Sequence, residues 1–169
     1  MATVEFTAPW SRSLKKRTAV ALVFLTAAML LGLFGKFDHP LWLLLIVLPP
    51  IALSVAFAFS VRGYAVTESE IQIRRGGWIT RLPLTGLQSV EGKSDALKGA
   101  LWLFANAGLF AFVGFWWSKE LKLFRVFATD PSRIVVLRYP RTRIAITPHD
   151  PQRFIVCART LLKTAAFPS

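Results

Sequence analysis

Two long apolar runs, Thr18–Gly35 and Leu41–Val61, lie almost back to back in this 169-residue chain, and neither holds an ionisable side chain. A bilayer core about 30 Å thick takes roughly 20 helical residues at about 1.5 Å each, and both runs approach that length. Only Lys36-Phe37-Asp38-His39-Pro40 separates them. So short a break predicts an antiparallel return, and residues 18–62 therefore read as a transmembrane helical hairpin. Residues 1–17 read as an N-terminal cytoplasmic tail, loose or anchored at an interface by Trp10. Residues 63–164 read as a domain carried by the hairpin. A hydrophobic content of 54% fits a partly membrane-buried chain.

The distribution of charge predicts the orientation. Arg12, Lys15, Lys16 and Arg17 precede the first run, Arg62, Arg74, Arg75 and Arg81 follow the second, and Lys36 is the one cation between them. The positive-inside rule then predicts a multi-pass protein with both termini cytoplasmic. The first run is long for a signal-peptide core and a second follows at once, so cleavage is not expected. Ala19, Ala21, Ala27, Ala28 and Gly32 predict close helix approach in lipid, to the second helix or to another copy. Pro49-Pro50 predicts a kink in the second helix, and Trp42 an anchor at the outer interface.

After Arg62 the period changes. Tyr64–Val66 reads as a strand, and in Glu70–Arg74 the alternation of Ile71 and Ile73 with polar residues marks a half-buried one. Arg75-Gly76-Gly77 predicts a tight turn with positive φ, Trp78–Leu82 its return strand, and Leu87–Glu91 a fourth strand. Leu97–Trp117 is ambiguous. It is apolar enough for a third span, but Gly99, Gly108, Gly114 and Asn106 interrupt it, lysines flank both ends, and Leu109–Val113 suits a strand. Strands resume at Leu121–Ala128, Ile134–Tyr139 and Arg143–Thr147, with turns at Thr129–Ser132 and Pro140–Thr142. A terminal amphipathic helix follows, started at Asp150-Pro151 or at Thr147-Pro148, with Phe154, Ile155, Ala158, Leu161, Leu162 and Ala165 on one face. The expected class is α+β.

No catalytic residues, cofactor or metal site are expected. His39 and His149 fall on opposite sides of the membrane in this topology. The single cysteine, Cys157, excludes an intrachain disulfide and reads as an inert helix thiol. No phosphate-loop pattern occurs. The domain from residue 62 carries sixteen Lys/Arg against seven Asp/Glu, a net of +9. Beside an anionic leaflet each basic residue near the surface contributes about 1 kcal/mol of attraction. Arg138, Arg141 and Arg143, clustered around a turn, and Arg133 are the candidates for headgroup contact, although solvated strand ends explain them equally well. A membrane tether favours lipid over nucleic acid, so no nucleic-acid partner is expected. Phe110, Phe112, Trp116 and Trp117 are the candidates for apolar contact with a partner, with the bilayer or with the helices.

Several of these segments carry a resemblance. Asn106-Ala-Gly108-Leu109-Phe110, then Gly114, Phe127–Thr129, Ile134–Leu137 and Ile146–Pro151 with Phe154-Ile155 resemble, in order and spacing, the bacterial PH-like domains. The resemblance spans roughly residues 62–163. It implies an antiparallel β-barrel or sandwich capped by a C-terminal helix, attached to membrane helices in a bacterial inner membrane. It also implies a binding role toward a protein partner, anionic lipid or itself, and no catalytic residues. The run from Phe110 to Trp117 is more aromatic than the usual pattern. The alternative expectation is a three-span accessory subunit of a membrane complex with no independent barrel.

Overall fold

Ser11 opens the first helix by accepting the Leu14 amide on its Oγ at 3.1 Å, which satisfies one of the free donors of the first turn. The computed structural model describes residues 3–35 and 42–166. In it a short strand β1 (Val4–Thr7) precedes that helix, α1 (Arg12–Phe34), and α2 (Trp42–Ala58) follows. Lys36–Pro40, the predicted break, lies outside the described residues. α1 is long and apolar enough to cross a membrane, and α2 is a shorter apolar helix. The two pack together where Gly32 meets α2; a Cβ there would stand 2.9 Å from Ile46 Cγ1. α2 runs through Pro49 and Pro50 as one helix.

Next come β2 (Val61–Val66), β3 (Glu70–Arg75), β4 (Ile79–Pro83), β5 (Ser89–Gly92), β6 (Leu101–Leu109), β7 (Ala111–Ser118), β8 (Lys122–Ala128), β9 (Val135–Arg138), β10 (Arg143–Ile146) and α3 (Pro151–Ala166). The strands form two sheets, β1-β2-β3-β4 and β5-β9-β10-β8-β7-β6. All described pairs are antiparallel except β8 with β10, which run parallel with Ile146 opposite Phe127. The class is α+β, two helices followed by a two-sheet sandwich and a C-terminal helix.

The sheets pack face to face over Tyr64, Ile71, Ile73, Phe127, Leu137, Ile144 and Ile146, all buried, and Phe154, Ile155 and Ala158 of α3 close the end. Asp150 Oδ1 accepts the Arg153 amide at 3.0 Å and thus caps α3. The other predicted start, Thr147, is occupied elsewhere: its Oγ1 accepts the Thr129 amide at 2.8 Å inside the core. The outer face of the six-stranded sheet is also apolar. Phe112, Trp116, Phe124 and Val126 are buried there with Leu14 of α1 and Ala96 of the β5–β6 connection.

Three expectations require correction. Residues 101–118 form the β6–β7 hairpin, so the 97–117 run is not a third membrane-spanning helix, and the three-span alternative fails with it. Val4–Thr7, read as tail, is an edge strand paired with β2 from Val4↔Val66 to Thr7↔Gly63. Gly76 and Gly77 are not among the positive-φ glycines; close approach explains them, since a Cβ on Gly76 would stand 2.0 Å from the Phe57 carbonyl oxygen.

Candidate functional site

The domain is seated on the helices at two hairpin turns. The β3–β4 turn closes the end of α2: Gly77 N donates to Ala58 O and Gly76 N to Ser60 O, each at 3.0 Å. The Ala58 carbonyl is one that the helix C-terminus leaves free, and Ser60 lies two residues beyond it. The β6–β7 turn sits on α1. Thr18 Oγ1 donates to Gly108 O and accepts the Phe110 amide, both at 3.1 Å. Gly108 packs under the Arg17 side chain and has a φ of 125°, a conformation that favours glycine.

Around these seats aromatic rings alternate with arginines. Trp10 and Phe57 pack on Phe110 at 6.0 and 6.2 Å, and Phe59 meets Trp78 edge to face at 4.7 Å. Arg62 lies over Phe57 at 4.7 Å and Arg17 over Phe112 at 5.7 Å. Trp10, Phe57, Phe59 and Trp78 are all exposed. Exposed rings and cations thus gather together at the ends of the two apolar helices.

Beside this collar, between the last turns of α2 and strands β7 and β8, is a cavity of about 570 Å³. Ala52, Val55 and Ala56 form one wall, and Val113, Phe115 and Phe127 the other. Two arginines supply the charge. Arg75 stands over Phe59, Trp78 and Phe127 at 4.9, 4.7 and 5.0 Å. Arg125 stands over Phe115 and the same Phe127 ring at 5.5 and 5.2 Å. Among the described residues neither forms an ion pair; the paired cations are Arg74, Arg81, Lys93, Lys98, Arg133 and Arg138. Arg75 Nε is buried with no hydrogen-bond partner, and one Nη reaches the Phe59 carbonyl at 3.4 Å. Burial, and then the Arg125 charge, bring the Arg75 guanidinium down to about 10.

A family model of the bacterial PH domain matches residues 62–161, more than half of the chain. The chain belongs to the bacterial PH domain family. No curated protein and no solved structure matches it. β1, α1 and α2 precede the matched segment, so this PH domain takes its first edge strand from beyond the family's bounds.

The predicted site residues fall in separate places on the PH domain. Arg138 and Arg143 face each other across β9–β10, and Arg141 is in the turn that joins them. Arg138 pairs with Glu91 at 3.3 Å, and Arg143 donates to the Leu121 carbonyl. Arg141 is exposed beside a second cavity of about 440 Å³, shared with Arg125 and Tyr139. Arg133, at the other end of β9, pairs with Asp130 at 3.5 Å and donates to the His149 carbonyl. The β9–β10 turn is remote from the helix seats along the strands, since Tyr139 OH bonds Pro83 O at the far end of β4. Of the aromatics, Phe110 lies in the collar, Phe112 and Trp116 are 4% and 8% exposed and offer little surface, and Trp117 is exposed. The pairing of Arg75 with Arg125 has no sequence signal, because the residues are fifty positions apart and meet only when the sheets fold. Among the described residues no cluster of His, Cys, Asp or Glu is arranged to hold a metal.

Proposed function

We propose that this protein is a non-enzymatic membrane-anchored module of a bacterial inner membrane. The hairpin holds the PH domain at the cytoplasmic face, where it binds anionic lipid, a protein partner or a second copy. The bare apolar surface of the helices carries this reading. Only 11% of the most apolar window of α1 is buried, and Val23, Phe24 and Phe34 are 68%, 72% and 80% exposed. Apolar surface on this scale calls for lipid. The stretches Thr18–Phe34 and Trp42–Ala58 are also equal in length, 17 residues each, or about 26 Å at 1.5 Å per residue.

The register of β1 with β2 supports a hairpin with both ends on one side. A strand before α1 pairs with a strand after α2, so the chain goes out and comes back between them. Arg12, Lys15, Lys16, Arg17 and Arg62 all lie at that end, which favours the cytoplasm.

The test uses the full chain with Cys157→Ala and one new cysteine, His39→Cys or Gln152→Cys. An impermeant maleimide added to intact cells is expected to label position 39, and to reach position 152 only after lysis. The chain is expected to stay in membranes washed with alkaline carbonate. Release into the wash, or labelling of position 152 in intact cells, would rule the reading out.

A further inference from the structure

We propose that the cavity between α2 and strands β7–β8 holds one anionic phospholipid, its phosphate between Arg75 and Arg125 and an acyl chain along α2. The proposal rests on the membrane reading above and specifies which lipid surface the domain selects, and where.

The argument begins with unbalanced charge. Two guanidiniums approach one ring, Phe127, at 5.0 and 5.2 Å, and among the described residues no carboxylate pairs with either. Rings of Phe and Trp attract a cation but do not neutralise it. Two like charges held together in an apolar setting repel, and an anion between them relieves that repulsion. Arg75 Nε, buried and unpaired, is a donor in want of an acceptor. Guanidinium groups suit phosphate oxygens because their donors form a planar fork.

The walls argue for an acyl chain in addition to the phosphate. A cavity of about 570 Å³ is far more than an inorganic anion fills, and lies within the range of about 300–1,000 Å³ that encloses drug-sized molecules. One wall is Ala52, Val55 and Ala56, which line the last two turns of α2 and lead from the headgroup level toward acyl depth in the proposed membrane. Arg75 lies just past that helix end, hydrogen-bonded to the Phe59 carbonyl, at headgroup depth. The order along the cavity, cation then apolar wall, is that of a phospholipid standing in its leaflet.

Native mass spectrometry of the full chain released from detergent micelles tests the proposal, with phosphatidylglycerol and phosphatidylcholine supplied in equal amounts. Wild type is expected to retain one phosphatidylglycerol, at least tenfold over phosphatidylcholine. Arg75→Gln/Arg125→Gln is expected to lose that preference, and Arg153→Gln, exposed on α3 and lining neither cavity, to keep it. Ala52→Phe, which fills the cavity and leaves both charges in place, is expected to lose the bound lipid while unfolding at the wild-type temperature. Equal retention of the two lipids by wild type, or retained preference in the double variant or in Ala52→Phe, would overturn the proposal. Carbonate washing of wild-type membranes keeps the two levels apart. A released chain removes the membrane reading and the proposal together, whereas an embedded chain without lipid preference removes the proposal alone.

Discussion

Thr18 Oγ1 donates to the Gly108 carbonyl at 3.1 Å, fastening the β6–β7 hairpin to the first helix less than two turns from its start. The same oxygen accepts the Phe110 amide, so one buried hydroxyl serves two backbone groups. Thr18→Val keeps the shape and removes both bonds. It is expected to lower stability by about 1–3 kcal/mol, since the groups left behind are at least partly buried. Thr18→Ser, which keeps the hydroxyl, is expected to restore most of the loss. Thermal unfolding of the detergent-solubilised chain measures both.

Gly76 makes the opposite seat, and its replacement separates crowding from backbone strain. A Cβ at Gly76 meets a backbone oxygen at 2.0 Å, whereas Gly86, at φ +86°, has nothing within 4 Å. Gly86→Ala is expected to cost about 1–2 kcal/mol from its backbone conformation alone. Gly76→Ala displaces the turn from α2 and is expected to cost about 3 kcal/mol or more. Equal unfolding temperatures for the two variants would contradict the seat.

Phe6 anchors β1 to the core, 6% exposed and edge to face with Phe154 at 5.1 Å. Phe6→Ala is expected to cost about 3–5 kcal/mol. Its neighbour Glu5 pairs with Arg74 in the open, so Glu5→Gln is expected to change stability by less than about 1 kcal/mol. A denaturant series on the two variants distinguishes an anchored strand from a loose tail.

Tyr64 predicts a loss of stability in strong base. Its hydroxyl donates to the Phe127 carbonyl at 2.7 Å and accepts the Thr147 amide at 3.0 Å, joining the two sheets. Burial pushes it up to about 12, with its bonds to Thr147 opposing. In the unfolded chain a tyrosine ionises near 10. Below pH 10 both states keep the proton and the contribution is whole. Between about 10 and 12 the unfolded chain alone releases it, so stability falls as pH rises, by up to roughly 3 kcal/mol. The stability gap between wild type and Tyr64→Phe is expected to narrow over that window, and a constant gap from pH 9 to 11.5 would contradict it.

What was legible in the sequence was what local pattern decides. The absence of ionisable groups marked the two helices, and the alternation of Ile71 and Ile73 marked β3, where both are fully buried. Asp150-Pro151 marked the start of α3. The glycines of the 97–117 run argued against a third helix, and two of them have φ of 125° and 145° in the hairpin that forms there. Partners far apart in sequence left no such mark. β1 is four residues long, and its partner lies beyond both helices. The parallel pairing of β8 with β10 and the meeting of Arg75 with Arg125 are likewise products of topology. The Arg138–Arg143 cluster was conspicuous because its members are near neighbours in the chain, a property that carries no information about distance from the helices.

The position of β1 ahead of the helices fixes an order of assembly during synthesis. The leading strand leaves the ribosome first and then waits while both apolar segments are translated, because its hydrogen-bonding partner is β2. Only a chain whose hairpin has doubled back brings the two strands together. A chain that fails to do so presents the bare edge of β2, an invitation to aggregation or proteolysis. Closure of that edge thus depends on the two helices first coming together side by side.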